Sequence, residues 1–351
     1  MIFTVPKRKA ITLPLNIQKL AEKWISQVID KSQIRGDYLR LMGNNNEPLE
    51  FIQYKEREVM AYIAGYFPSI FAQNYTVFQN LKKYNFKYED VLDVGSGLGT
   101  SLMALNELGF KSEMTAFDIS ENMLAKCREF SESENLNIKL IQMLPQHQHD
   151  LVVCSHYLSN IQPSLRIPIL DEMWRLTKKT MVVIDRGNPE MSTTVGEFRI
   201  KATKTGKVVA PCTHNSTCPL LAARKLGNSN WCHFAQRTVR PKFTKITKHS
   251  VHDCEDTKYT YLIMHKDEFI QQDIARITNA PLKKGGHVLL DLCMDEKWRR
   301  VSIPKSFGND TYTAARKSRW GHTWNLGYKS IIRELPSNTP NALGVENKQN
   351  Y

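Results

Sequence analysis

The order of apolar segments predicts an α/β fold built on a doubly wound, mostly parallel sheet. Three observations carry that expectation. Five short strands of buried type alternate with helices between residues 89 and 185, a glycine-rich turn follows the first strand, and an acidic residue closes the second. The chain has 351 residues, 41% hydrophobic and 24% charged, which suits about two domains with a real core and excludes wholesale disorder. No apolar run approaches the roughly 18 residues of a membrane span, so a soluble protein with no membrane partner is expected.

Residues 1–88 read as a helical region. A first amphipathic helix is expected over Leu13–Ile29, with Leu20, Trp24 and Val28 on one face. Apolar positions then recur at helical spacing through Ile52, Val59, Ile63, Ile70, Phe71 and Val77, and Pro68 parts one helix from the next. The strands follow as Val91–Val94, Met114–Phe117, Ile138–Ile141, Leu151–Cys154 and Met181–Asp185. Ser120 is placed to cap a helix through Met123, Leu124 and Cys127, and a helix around Leu170, Met173, Trp174 and Leu176 separates the last two strands. After Asp185 the rhythm stops. Strand character returns at Tyr259–Met264, and His287–Met294 and Trp298–Ile303 form a hairpin across a short turn. The expected organisation is a sheet domain over 89–270 with a basic, cysteine-rich insertion at 201–250, a small β extension over 271–330, and a loose tail at 331–351.

The turn after the first strand reads Asp93-Val94-Gly95-Ser96-Gly97-Leu98-Gly99. Glycines let a backbone turn sharply and approach a ligand closely, and ligands of such sheets sit outside the C-terminal strand ends. The spacing is not the G-x-G-x-x-G that lays a pyrophosphate on a helix N-terminus. It resembles the S-adenosylmethionine turn of class I methyltransferases. Asp118, ending the second strand, is placed to accept hydrogen bonds from ribose hydroxyls. The expected ligand contacts are Asp93, Gly95, Ser96, Gly97, Gly99 and Asp118. The fourth strand lacks the Asn- or Asp-Pro-Pro-aromatic motif of amine methyltransferases, so no catalytic residue is assigned. His156 is at most a weak candidate base.

Formal net charge is +13, and residues 201–250 hold ten Lys or Arg without one acid. Such a stretch is expected to attract polyanions, nucleic acid first among them. It also holds Cys212, Cys218-Pro219 and Cys232, three of seven cysteines in a chain that shows no secretory signal. Thiolates among cations point to a bound metal or cluster. No tight C-x2-C zinc knuckle occurs, and the wider spacing suits an iron–sulfur cluster, with zinc as the alternative and His214, His233 and His287 as its possible ligands. Cys293 is the preferred fourth ligand and Cys254, flanked by two acids, the second choice. Cys127 and Cys154 read as structural thiols within the sheet domain.

Taken together, the glycine turn, Cys212 and Cys218-Pro219, Trp231-Cys232-His233-Phe234-Ala235-Gln236, Gly286-His287-Val288 with Cys293, Lys305–Gly308 and Tyr312–Trp324 resemble a known family. It is the methyltransferase-like proteins of the mitochondrial small ribosomal subunit, which have bacterial relatives. The resemblance covers roughly 55–325. It implies a class I methyltransferase fold that binds S-adenosylmethionine, with a [4Fe–4S] cluster on Cys212, Cys218, Cys232 and Cys293. It further implies a place on small-subunit ribosomal RNA among neighbouring ribosomal proteins, as resident subunit or assembly factor, without established methyl transfer. The implied location is the mitochondrial matrix, or the cytoplasm for a bacterial relative. Lys7, Arg8 and Lys9, with no acid before Glu22, faintly resemble a mitochondrial presequence, although the same region reads as an ordinary amphipathic helix.

The C-terminal segment has its own RNA signal, since 281–330 holds ten Lys or Arg against four acids beside Trp320 and Trp324. The expected RNA contacts are Arg237, Arg240, Lys242, Arg299, Arg300, Lys305, Arg316, Lys317 and Arg319.

Overall fold

The computed structural model describes residues 10–28, 31–43, 54–225, 230–269, 274–294, 296–325 and 333–334. The chain divides into two units, Pro6–Gln271 and Gln272–Tyr351 with Met1–Val5.

The larger unit opens with four helices: α1 (Leu15–Ser26), α2 (Lys31–Gly43), α3 (Glu56–Gly65) and α4 (Phe67–Lys82). In α1, Ile17, Ala21, Trp24 and Ile25 recur at helical spacing and all are buried. Trp24 Nε1 donates to Glu129 Oε2 at 2.6 Å, which ties this helix to the sheet layer. Pro68 stands in the first turn of α4, where a missing N–H costs nothing.

The alternating region follows as β1 (Asp90–Val94), α5 (Thr100–Glu107), β2 (Glu113–Phe117), α6 (Glu121–Ser133), β3 (Ile138–Ile141), β4 (His149–Ser155), α7 (Pro163–Leu176) and β5 (Thr177–Arg186). It continues through α8 (Pro189–Ala202), β6 (Lys207–Ala210), α9 (Pro219–Lys225), β7 (Phe234–Val239), α10 (Lys242–Thr247) and β8 (Cys254–His265). The sheet order is β3-β2-β1-β4-β5-β8-β6, with β7 also paired to β8. The first five strands are parallel and β8 runs antiparallel to β5. Both faces are covered. Val91, Leu151, Val153, Val182 and Ile184 point into one core, while Leu92, Val94, Val152, Met181 and Val183 point into the other. The strand order reverses between β1 and β4, which is where such folds hold ligands.

All five parallel strands stand where the apolar runs placed them. Three corrections concern what surrounds them. The sheet does not stop at Asp185: the strand expected at Tyr259–Met264 joins it as β8, and β6 and β7, which were not expected as strands, pair with β8. Ser120 occupies the N-cap of α6 without a capping bond from its hydroxyl; Asp118 Oδ1 accepts from the Ser120 N–H at 2.8 Å instead. Within the expected loose tail, Arg333 and Glu334 pair with β12 (Lys297–Pro304). The remainder of that tail, and Lys7–Lys9 and Ile52, lie outside the described residues.

The smaller unit comprises β9 (Ile274–Ile277), β10 (Leu282–Lys283), β11 (His287–Met294), β12, α11 (Asn309–Lys317), β13 (Thr323–Asn325) and β14 (Arg333–Glu334). Its antiparallel sheet runs β13-β9-β11-β12-β14, with β10 on β11. The hairpin pairs Leu290 with Val301 and Val288 with Ile303, so one face of each strand joins a core with Tyr312, Ala315 and Trp324. Trp324 is therefore a core residue. No helix among the described residues is long and apolar enough to cross a membrane.

Two glycines test this packing in opposite directions. A Cβ at Gly187 would lie 2.5 Å from the backbone nitrogen of Tyr259, whereas one at Gly36 meets nothing within 4 Å. Gly187→Ala is expected to cost about 2–4 kcal/mol. Gly36→Ala should add about 0.5–1 kcal/mol, because it removes helix-disfavouring backbone freedom. Thermal melts of both variants check the pair; equal midpoints would contradict the placement of β5 against β8.

Candidate cofactor cleft and thiol pocket

The turn between β1 and α5 forms because glycine alone accepts its backbone. Gly95, Gly97 and Gly99 have φ of 68°, 56° and 82°. At Gly95 a Cβ would sit 2.4 Å from the Tyr157 ring, and at Gly99 it would sit 2.7 Å from Cys127 Sγ. The N–H groups of Gly95 and Ser96 both reach the carbonyl of Phe117 at 2.9 Å, locking the turn onto the end of β2. Asp118 completes the lock, its Oδ2 accepting from the Gly97 N–H at 2.8 Å.

These residues floor a cleft of about 650 Å³ lined by Gly95, Ser96, Gly97, Thr100, Ser101, Asp118, Tyr54, Tyr62, Tyr157, His156 and Asn160 among others. Its lining mixes aromatic rings with polar groups and one carboxylate. Four of the six sequence-assigned contacts, Gly95, Ser96, Gly97 and Asp118, line it, whereas Asp93 and Gly99 do not, Gly99 standing at the helix start against Cys127. Asp93 lies beneath the turn, fully buried, and neither carboxylate oxygen finds a hydrogen-bond partner of ordinary geometry. Burial pushes its proton affinity up to about 8; the nearby Ser101 hydroxyl opposes the rise and the Asp118 charge adds to it. Asp118 is also raised, mainly by burial, against the pull of the backbone N–H groups it holds.

His156 follows β4 with φ of 54°, and its Nε2 lies 2.6 Å from Gln73 Oε1 of α4. Burial lowers its pKa to about 4, so the ring is neutral at physiological pH and a weak base. Asn74 donates to Ser101 at 3.2 Å and accepts from Ser155 at 2.7 Å. The helical region thus closes a polar network over the strand ends. The tyrosines and this network were not foreseen; the spacing of Tyr54, Tyr62 and Tyr66, which puts them on one side, was the available signal.

A second hollow, of about 470 Å³, is lined by Cys212, Cys218 and Cys232 together with Arg199, Arg224, Trp231, Thr260, Tyr261 and Leu262. The structure therefore brings together three of the four proposed ligands. None of the seven cysteines is in a disulfide. Burial pushes the Cys218 thiol up and neighbouring Cys212 adds to this, while the backbone N–H groups of Leu221 and Leu220 and the Arg199 charge pull it down. Arg199 is 2% exposed and donates to the carbonyls of Ser216 and His214 at 2.6 and 2.5 Å, holding the loop between Cys212 and Cys218. Arg199 lines the same hollow as the three thiols. Among the described residues no cluster of three His, Cys, Asp or Glu already stands in metal-binding geometry.

Cys293 belongs to the smaller unit, on β11 between Trp298 and Arg276 of the neighbouring strands. Cys254 does not approach the pocket: it pairs with Val239, five positions along the β7–β8 ladder from Phe234, or about 17 Å. His233 stacks on Trp231 with ring centroids 4.8 Å apart, and burial lowers its pKa to about 4. His287 is on β11, and Cys127 and Cys154 are fully buried core thiols.

The cations divide sharply. Arg300 forms a two-pronged pair with Asp291 at 2.7 and 2.9 Å, and Arg240 bonds Glu255, Ser250 and the His252 carbonyl. Both are committed within the fold. Arg299 is half-buried, whereas Arg237, Lys242, Lys305, Arg316, Lys317 and Arg319 are exposed.

Strand order, glycine turn and strand-end carboxylate define a protein of class I methyltransferase-like fold with an added thiol pocket. The model of the family "Mitochondrial small ribosomal subunit Rsm22" matches residues 56–325, and the chain belongs to that family. It is 24% identical over 327 residues to Rsm22-cox11 tandem protein 2, mitochondrial, of Schizosaccharomyces pombe, covering 77% of this chain and 43% of that one. The chain thus spans less than half the length of that relative. It is 22% identical over 489 residues to the Saccharomyces cerevisiae ribosome assembly protein RSM22, mitochondrial, covering 93% and 74% respectively. Among solved structures, magnesium protoporphyrin IX methyltransferase from Synechocystis, with bound SAM, aligns at 12% identity and a TM-score of 0.37 over 69% of this chain and 99% of that one.

The raised Asp93 has a pH signature. A carboxyl group with a folded pKa near 8, above its ordinary value of 3.8, favours the folded state only while protonated. Its contribution is complete below about pH 4 and is lost as pH rises through about 8. Stability of the ligand-free protein should therefore fall over this window, and Asp93→Asn should flatten the slope. Urea melts at pH 5 and pH 8.5 measure it; the same slope in both proteins would contradict the burial of a bare carboxylate.

Proposed function

We propose that the chain is an RNA-binding assembly factor or subunit of the mitochondrial small ribosomal subunit, acting in the matrix. In this reading it binds S-adenosylmethionine in the glycine-turn cleft and carries an iron–sulfur cluster. The cluster is held by Cys212, Cys218 and Cys232, with Cys293 as fourth ligand. It supplies no chemistry to a substrate; it cross-links a segment that is otherwise short on core. Family membership and the names of the yeast relatives support the ribosomal role, and the polar closure over β4 favours binding over methyl transfer.

One observation carries the RNA reading. Lys305 Nζ and the Arg316 guanidinium both approach the Tyr312 ring, at 5.8 and 5.7 Å, so the short turn Lys305–Phe307 and α11 present their cations on one surface. The Lys305 N–H bonds the Gly286 carbonyl at 2.9 Å, which brings the exposed Lys283 and Lys284 of the β10–β11 turn alongside. Lys317 and Arg319 extend the surface. Exposed cations without paired acids are what phosphates require.

A Lys305→Ala, Arg316→Ala, Lys317→Ala triple variant should bind small-subunit rRNA about tenfold more weakly and lower the salt slope of log K by about 2. Unchanged affinity and slope would remove this surface from the reading. For the cluster, protein purified without oxygen should be brown and contain iron and acid-labile sulfide, both lost in Cys218→Ser. Colourless protein holding zinc would replace the cluster with a zinc site.

A further inference from the structure

Exposed aliphatic side chains are ordinary singly and informative together. Among the described residues eight large apolar side chains stand exposed, and four of them belong to α2 or to α10 and the turn after it. They are Leu39 and Met42, at 48% and 44% exposure, Ile246 at 61% and Val251 at 88%. In α2, Ile34, Asp37 and Tyr38 are buried, while Arg35, Leu39 and Met42, four and three apart, share an outer stripe where polar residues are the rule. In α10, Phe243, Thr244 and Thr247 are buried, and Lys242 and Ile246, four apart, are exposed. The Arg35 guanidinium donates to the Thr247 carbonyl at 2.9 Å, and Lys248 Nζ stands 5.8 Å from the centre of the Tyr38 ring, so the two helices lie side by side. The turn that carries Val251 folds back on α10. Its Ser250 N–H reaches the Lys245 carbonyl at 2.9 Å, and Arg240 donates to the Ser250 hydroxyl and the His252 carbonyl at 2.6 and 3.1 Å.

The charge around these four residues is cationic. Glu255 is nearly buried between Arg240 and Lys248, Asp37 is buried against Arg40, and the exposed Asp253 is taken up by Lys245. Arg35 bonds a carbonyl rather than an acid, and Lys242 meets no acid among the described residues. We propose that this corner docks a neighbouring protein, through a segment that carries apolar side chains and carboxylates on one face. The inference rests on the small-subunit reading above, which supplies the particle the neighbour belongs to, and adds a protein-binding surface to it. The partner's carboxylates would meet Lys242 and Arg35, and its apolar side chains the four aliphatic groups. RNA fits poorly here. Leu39, Met42, Ile246 and Val251 give a base no ring to stack on, and Tyr38, between the helices, is buried. Nor does a continuous apolar face exist to lie in a bilayer, since Arg35 and Lys242 stand within the two stripes.

Binding of the full chain to purified mitochondrial small-subunit particles, and separately to naked small-subunit rRNA, tests it. Ile246→Asp combined with Val251→Asp should weaken particle binding about tenfold and leave rRNA affinity within about twofold, because two apolar contacts are lost and two negative charges face the partner's acids. Particle binding that the double variant leaves unchanged overturns the proposal. An equal loss on naked rRNA also overturns it, making the corner a nucleic-acid surface. In a second measurement, p-benzoylphenylalanine placed at Ile246 is irradiated with the particle. It should cross-link to a peptide of another protein in which acids outnumber Lys and Arg. Cross-links to rRNA, to the chain itself, to a basic peptide or to nothing overturn the proposal. If the double variant does not fold, Lys242→Glu replaces it, changing one exposed charge, with an expected loss of about threefold on the particle; no loss overturns the proposal. A wild-type chain that binds no particle overturns the small-subunit reading itself, a result distinct from particle binding that the variants do not alter.

Discussion

Strand β8 is the constraint on which the larger unit depends. Its twelve residues lie inside a sheet, where every backbone N–H and C=O needs a partner. The half from Tyr259 to His265 pairs with β5 on one edge, and on the other edge His265, Met264 and Ile263 pair with β6. The half from Cys254 to Tyr259 pairs with β7. Ile11 then covers the outer edge of β7, exchanging backbone hydrogen bonds of 2.9 Å with Arg237 and Val239. One strand thereby joins a parallel nucleotide-type sheet to the cysteine-bearing segment. Thr260, Tyr261 and Leu262 of β8 form one wall of the thiol pocket, so its register places that wall against the cysteines.

The parallel strands were legible because burial on both faces leaves continuous apolar runs such as Leu151-Val152-Val153-Cys154. The glycine turn was legible because its backbone excludes other residues. By contrast β7, Phe234-Ala235-Gln236-Arg237-Thr238-Val239, alternates buried and exposed positions, and its cations disguise it. Thr238 and Gln236 are buried polar residues; Gln236 accepts from the Thr76 hydroxyl of α4 at 2.8 Å, a partner 160 residues away that no local pattern reveals. The tyrosine walls of the cleft were hidden for the same reason, since they come from a helical region that precedes the sheet.

Charge shows the limit of local reading most clearly. The acid-free stretch at 201–250 suggested a large free cationic surface. In the fold, Lys201 reaches Asp171, Lys207 reaches Glu268, Arg240 and Lys248 share Glu255, and Lys245 reaches Asp253. Half of its ten cations are thus balanced by acids outside the stretch. The exposed pairs contribute little to stability, but they remove charge from the pool available to phosphates. In the smaller unit Arg300 is committed to Asp291, whereas Lys305 and Arg316 stand exposed beside Tyr312.

The cleft and the thiol pocket meet at the end of β5. Asp185, fully buried, accepts from the Ser159 N–H at 3.2 Å, and Ser159 and Asn160 form the turn at the rim of the cleft. Two residues on, the Gly187 carbonyl accepts from Trp231 Nε1 at 2.9 Å, beside Cys232. Asn188 then caps α8, whose Ser192, Thr193, Val195 and Gly196 line the pocket. The run from Asp185 to Asn188 therefore bonds the rim of the cleft at one end and the pocket's surround at the other, with Gly187 packed tightly against β8. The cleft rim and the Trp231 side of the thiol pocket are thus held by one short stretch of backbone, so the register of β5 against β8 positions both.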